Sequence, residues 1–225
     1  MENIPEHRDH RSDDHDQLIG IIPERVIGTP RNADRHRPES PITFDLTFPH
    51  SYTVTLTELS GNGQQPPIYF PAARTLGGND GLLLKFANSD GRNWKGCFAF
   101  GDYELCGVFS LPDPNSMCVV SKGTGYWVYV NAPEQSYEMR VCPIRDVRVL
   151  LDAQIILLAD FASLSAFGSK GRLWSQQVCW DELKILNIQD GVVKGTGFDP
   201  TNRQQSTAEF AVELSTGRVL QSPMH

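Results

Sequence analysis

Asp146-Val-Arg-Val-Leu-Leu-Asp-Ala-Gln-Ile-Ile-Leu-Leu-Ala-Asp-Phe-Ala-Ser-Leu-Ser-Ala-Phe167 decides the fold class, because no other stretch could hold a helix of useful length. Its centre, Ile155-Ile-Leu-Leu158, fits a buried strand as well as a helix, since a short apolar run carries no period of its own. Upstream, Tyr126-Trp-Val-Tyr-Val130 is aromatic and β-branched throughout, as in a strand covered on both faces. Further upstream Leu46, Phe48, Tyr52, Val54 and Leu56 alternate with Thr47, Ser51, Thr53, Thr55 and Thr57, broken by Pro49. That period of two predicts a half-exposed strand. Tyr137-Glu-Met-Arg-Val141 repeats it, and Ala208-Glu-Phe-Ala-Val-Glu-Leu214 does so more loosely.

Turn chemistry separates these runs at short spacing: Gly61-Asn-Gly63, Gly77-Gly-Asn-Asp-Gly81, Ser89-Asp-Gly91, Asp113-Pro-Asn115, Gly168-Ser-Lys-Gly171, Asp199-Pro200 and Thr216-Gly217. Asp190-Gly191, between Ile188 and Val192, predicts a hairpin. Short strands and frequent turns predict an all-β chain with little helix, an antiparallel meander forming a sandwich, a barrel or a propeller-like stack. Ser89-Asp-Gly-Arg-Asn-Trp94 is echoed at Ser169-Lys-Gly-Arg-Leu-Trp174, and each Trp is followed by a Cys, an aromatic and an acid. The units near 89–105 and 169–183 are therefore candidates for an internal duplication.

Residues 1–40 differ from the rest. They hold nine acids and six arginines, with few apolar groups to offset the entropy of ordering. A mostly mobile charged arm is expected there, and a single β-rich domain over 41–225. Leu18 to Ile22 and Val26-Ile27 are the arm's apolar exceptions.

The formal net charge of the whole chain is −7, and the first of its six lysines is Lys85. Phosphate neutralisation needs clustered Lys and Arg, so no nucleic-acid partner is expected. The acidic start lacks the apolar core of a secretory signal. The most apolar later window, Val149 to Phe167, carries Asp152 and Asp160, each costing roughly 2.5–3.5 kcal/mol at a bilayer centre. No membrane association and a cytoplasmic location are expected. Cys97, Cys106, Cys118, Cys142 and Cys179 form no CxxC pair and read as core thiols.

Chemistry has few carriers. No histidine occurs between Ser51 and Met224, so nucleophilic catalysis of the Ser-His-Asp or Cys-His kind would depend on His50 alone. His50 reads as a strand-end residue. Cysteine spacing fits no zinc pattern, and the tail run His7-Arg-Asp-His10 with Asp13, Asp14 and His15 reads as a solvated polar tail. Gly123-Thr-Gly125 and Gly195-Thr-Gly197 look like hairpin and bulge glycines; neither continues as a nucleotide fingerprint. No cofactor and no metal are expected. Asp102, Glu104, Asp181, Glu182 and Asp199 sit beside aromatics in sequence, and two acids about 5–10 Å apart around a sugar could hydrolyse a glycoside.

Val108-Phe-Ser-Leu-Pro-Asp-Pro114, Cys118-Val-Val-Ser-Lys-Gly-Thr-Gly-Tyr126, Leu157-Leu-Ala-Asp160, Gly171-Arg-Leu-Trp174, Trp180-Asp-Glu-Leu183, Gly195-Thr-Gly-Phe-Asp-Pro200 and Phe210-Ala-Val-Glu-Leu-Ser-Thr-Gly217 together resemble a group of uncharacterised bacterial cytoplasmic proteins, over about residues 97–220. That resemblance implies a single β-rich unit and no defined activity. The reading from the residues is a non-enzymatic protein-binding domain of the immunity or accessory type. Trp127, Trp174, Trp180 and Asp181 are its candidate binding residues. The rival is a carbohydrate-binding or glycoside-processing protein using Trp94, Trp127, Trp174 or Trp180 with Asp181 or Asp199.

Overall fold

The computed structural model describes residues 41–58, 66–72, 80–201 and 206–224. The arm expected over residues 1–40, with His7, His10 and His15, lies outside the described residues. Ile155-Ile-Leu-Leu158 is a strand, and no α-helix occurs among the described residues; Pro133–Gln135 forms a single 3-10 turn.

Among the described residues seventeen strands form four sheets, which follow one another along the chain except that β1 joins the second. Sheet I holds β2 (Tyr52–Leu56), β3 (Ile68–Phe70), β4 (Gly81–Asn88) and β5 (Asn93–Ala99), in the order β2-β4-β5-β3. Sheet II holds β1 (Thr43–Asp45), β6 (Gly107–Ser110), β7 (Ser116–Ser121), β8 (Thr124–Tyr129) and β9 (Tyr137–Glu138), in that order. Sheet III runs β10 (Asp146–Leu150), β11 (Ile155–Ala159), β12 (Ser163–Gly168) and β13 (Gly171–Gln177). Sheet IV runs β14 (Asp181–Gln189), β15 (Val192–Phe198), β16 (Thr207–Glu213) and β17 (Val219–Gln221). Pairing is antiparallel except for β1 with β6 and β3 with β5.

Three apolar clusters join these sheets face to face. Leu82, Leu84, Phe86 and Phe98 of sheet I meet Met117, Val119, Tyr126 and Val128 of sheet II. Cys118, Val120 and Trp127, on the other face of sheet II, meet Ile156, Leu158 and Phe167 of sheet III. Ile155, Leu157, Leu164 and Ala166 of sheet III then meet Leu183, Ile185, Val193, Phe210 and Val212 of sheet IV. Sheets II and III are thus covered on both sides, which is why β7, β8 and β11 read as unbroken apolar runs. Each fully buried Leu, Ile or Phe contributes roughly 1.5–3 kcal/mol relative to exposure, so the three interlayer cores dominate stability. In sheet IV one face meets solvent and alternation returns: Lys184 and Lys194 are exposed, while Ile185 and Val193 are buried. Among the described residues no sheet closes on itself, so the architecture is a layered sandwich or propeller-like stack and not a barrel.

Local sequence sets the joints. Asp190 and Gly191 both adopt positive φ (52° and 73°), the geometry of a two-residue hairpin whose twist matches its strands. Gly195 answers a different need: a Cβ there would lie 2.2 Å from the Lys184 carbonyl oxygen and 2.4 Å from the Phe210 ring. The expected strand Tyr137–Val141 is shorter than its alternation implied. Ladder pairing stops at Glu138, and Met139 and Val141 turn into the core between sheets II and III as the chain crosses to β10.

The two echoed segments occupy corresponding places. Ser89–Gly91 turns from β4 into β5, and Ser169–Gly171 turns from β12 into β13. Trp94 Nε1 donates to the Val130 carbonyl at 3.0 Å, just past the third of sheet II's long strands. Trp174 Nε1 donates to the Leu214 carbonyl at 2.8 Å, just past β16 of sheet IV. Each indole therefore pins its own sheet to the next one.

Candidate functional site

The segments that connect sheets gather at one end of the stack because the strands all run end to end through it. Backbone hydrogen bonds tie them side by side: Tyr103 N to Lys122 O, Gly123 N to Leu105 O, Ile144 N to Gly123 O, Arg145 N to Ala159 O, and Trp180 N to Phe198 O. Leu183 N donates to Phe161 O at 2.9 Å, which places the β11–β12 turn against the entry to β14.

On this platform Arg145 sits in the corner made by two aromatic rings. Its guanidinium carbon lies 5.4 Å from the Tyr103 centroid and 4.6 Å from that of Phe161, and the rings meet edge to face at 6.2 Å. Arg145 Nε donates to the Tyr103 hydroxyl at 2.9 Å. Cation–π contact of this kind contributes about 0.5–2 kcal/mol and fixes an otherwise mobile side chain. Lys122 lies 5.1 Å over the Phe100 ring nearby. Phe161 is 41% exposed and Trp180 is 51% exposed.

The residues expected to bind or catalyse are dispersed. Trp127 is a correction: it is 1% exposed, packed between sheets II and III and stacked 6.3 Å from Tyr137. A ring enclosed by core offers no face to a ligand. Trp174 is half-buried against sheet IV with its N–H committed to Leu214, and Trp94 stacks on Phe86 at 4.1 Å. Trp180 alone of the four stands half open, with exposed Asp181 beside it. The carboxylates serve turns. Asp181 Oδ1 accepts from Glu182 N at 2.6 Å; Asp199 Oδ1 accepts from Thr201 N at 2.8 Å and Thr201 Oγ1 at 2.7 Å. Asp199 is also buried, so it faces no open subsite.

His50 is an exposed strand-end residue whose Nδ1 lies 2.9 Å from the Phe48 carbonyl. Cys97, Cys106, Cys118 and Cys179 are buried and Cys142 is exposed. Burial pushes the Cys118 thiol up to about 12 and, as the largest cause, the Cys179 thiol to about 11, so neither is a nucleophile at neutral pH. Among the described residues no three His, Cys, Asp or Glu come together in a metal-holding group, and no helix is long and apolar enough to cross a membrane.

A second concavity, of about 440 Å³, lies where edge strands β1, β10 and β14 converge, lined by Asp45, Val147 to Leu150 and Ile185 to Ile188. Two of its polar groups are already engaged: Arg148 pairs with Asp146 at 2.8 Å and Asp45 accepts from Thr47 N at 3.2 Å. What it adds is edge backbone and the exposed Leu186.

Arg145 and Phe161 had no sequence signal. Tyr103 and Arg145 are 42 positions apart, and only the stacking of three successive connections brings them together.

No protein-family model matches the chain, and no curated protein matches it. Among solved structures it is similar to a chain of the mitotic checkpoint complex, at 9% identity and a TM-score of 0.38, covering 97% of this chain and 74% of that one. It is similar to the N-terminal domain of Nup159 at 7% identity and a TM-score of 0.37, covering 81% and 53%. A chain from an S. cerevisiae complex of Dbp5 with Nup159, Gle1, IP6 and ADP gives 9% identity and 0.37, covering 82% and 52%. The chain thus spans about half the length of the latter two. At these scores the likeness is loose, and the fold stands on its own sheets.

Proposed function

We propose that the chain is a non-enzymatic protein-binding β-domain of the accessory or immunity type, acting in the cytoplasm through the connection-bearing end of the stack. The observation that carries this is the residue set there: exposed Phe161 beside Tyr103 and Arg145, and exposed Trp180 on the neighbouring connection, whose Cys179 N bonds the Ala162 carbonyl. Trp, Tyr and Arg are the residues that most often dominate interface energy, because they pair large apolar area with a polar handle and lose little entropy on binding. Arg145 and Tyr103 already hold each other through the Nε–hydroxyl bond, so a partner meets a partly preformed surface. The buried thiols Cys106, Cys118 and Cys179 suit a reducing compartment.

Sugar binding has less behind it. A glycan platform wants open ring faces and free carboxylates, and one half-open indole beside turn-holding acids supplies little of either.

The test compares affinity capture by the full chain, by a Trp180→Ala/Phe161→Ala variant, and by a control carrying Leu173→Ala/Leu220→Ala, which removes exposed apolar groups elsewhere. Quantitative mass spectrometry should show partners lost in the first variant and kept in the control, with melting temperatures within a few degrees. Equal capture by all three chains would overturn the proposal.

A further inference from the structure

Arg145 differs from Arg92, Arg148 and Arg218 in what satisfies it. Those three pair with Asp90, Asp146 and Glu213 within 4 Å on the surface. Arg145 has aromatic rings over its guanidinium and a phenol oxygen on Nε, and among the described residues no carboxylate lies within salt-bridge reach. Its two terminal nitrogens are therefore the edge left without a partner. A planar guanidinium anchored through Nε and packed against two rings presents those nitrogens as a fork, the geometry that matches a carboxylate bidentately. Holding the fork in advance removes the rotamer entropy that binding would otherwise cost.

We infer that Arg145 receives a side-chain carboxylate from an acidic peptide segment of the protein partner, with exposed Phe161, and exposed Trp180 on the neighbouring connection, taking apolar side chains that flank it. This rests on the protein-binding reading and names the partner's chemistry. The surrounding charge is net negative, so it opposes a doubly charged group more than a singly charged one. Asp102 and Glu104 are exposed on either side of Tyr103, Asp160 lies beside Phe161 with its Oδ1 held by Ala162 N and Ser163 N, and exposed Asp181 follows Trp180. Lys122, whose carbonyl accepts from Tyr103 N, is a further cation at this end, and it rests over Phe100. These acids repel a phosphate dianion more strongly than a carboxylate, and one fork supplies the two donors a carboxylate takes but too few for a phosphate.

The test is selection of a random dodecapeptide phage library on the immobilised full chain, followed by fluorescence anisotropy with the best peptide. Enriched peptides should carry Asp or Glu within a few residues of an aromatic or aliphatic side chain. Replacing that acid by its carboxamide should weaken binding at least about tenfold, the scale of a charge-assisted bond. It should have no effect on Arg145→Gln, which closes a double-mutant cycle. The carboxamide comparison needs no variant of the chain, so it decides the matter even if Arg145→Gln folds poorly. Peptides that bind equally well as acid or carboxamide overturn the role of Arg145 while leaving protein binding intact. A library yielding no binder sensitive to Trp180→Ala overturns both.

Discussion

Trp127 offers the sharpest check on the stack, because two opposed energies meet in one side chain. It is 1% exposed between sheets II and III, with Tyr137 and Phe167 ring centroids at 6.3 and 6.1 Å, and its buried Nε1 has no hydrogen-bond partner. Trp127→Ala empties the site and should cost about 3–5 kcal/mol through lost burial and the cavity left behind. Trp127→Phe keeps most of the ring, giving up roughly 1–2 kcal/mol of transfer and cavity energy. The same change deletes the orphaned N–H, whose burial costs about 1–3 kcal/mol. The two nearly cancel, so Trp127→Phe should lie within about 1 kcal/mol of the parent chain. Urea unfolding followed by far-ultraviolet circular dichroism measures both, with unchanged slopes confirming a common transition. A Trp127→Phe cost close to that of Trp127→Ala refutes the reasoning, since it would mean that the indole N–H is satisfied.

Other consequences follow from single residues. Gly195→Ala, whose Cβ would strike the Lys184 carbonyl, should lower the unfolding free energy measured in urea by about 1–3 kcal/mol of overpacking; Gly168→Ala, with its nearest contacts at 3.4 Å on Leu173, should change it by far less. Timed alkylation at pH 8 with peptide mapping should modify exposed Cys142 in minutes and leave Cys118 and Cys179 almost untouched; equal rates would contradict their burial. Stability should also fall on the alkaline side. The folded Cys118 and Cys179 thiols titrate near 12 and 11 against an ordinary 9.0, and burial also raises the Tyr52 and Tyr126 phenols. Below pH 9 these thiols are protonated in both states and stability is complete; from pH 9 to about 11–12 the unfolded chain releases protons that the folded chain holds, so the urea midpoint drops. A midpoint flat from pH 8 to 11 would show that these groups are not protected.

The fold class was legible wherever one physical pattern admitted one structure. Thr53 and Thr55 alternating with Tyr52 and Val54 could only be a one-faced strand, and Asp190-Gly191 could only be a tight reversal. Ile155-Ile-Leu-Leu158 stayed ambiguous because its sheet is covered on both faces, which erases the period that separates strand from helix. The site was less legible for a related reason. Trp127 and Trp180 look alike in sequence, and only the number of layers around each separates an enclosed ring from an open one. Asp181 and Asp199 stand beside aromatics in sequence, yet their oxygens are held by the next turn. Arg145, the most distinctive group at the loop end, depends on two rings from different connections and leaves no local trace.

The two tryptophan hydrogen bonds between sheets have a mechanical meaning. Trp94 fastens sheet I to sheet II, and Trp174 fastens sheet III to sheet IV, each by one directional bond from an indole to a carbonyl. Between sheets II and III the corresponding layer offers Trp127, whose N–H grips nothing. Packing there is strong but non-directional, so it resists separation far better than it resists sliding. Seen as joints under load, the outer two are pinned and the middle one is a bearing. Shear between the two halves of the molecule has its softest direction at that bearing, held at one end by the directional bonds from Ile144 N to Gly123 O, Arg145 N to Ala159 O and Arg145 Nε to the Tyr103 hydroxyl.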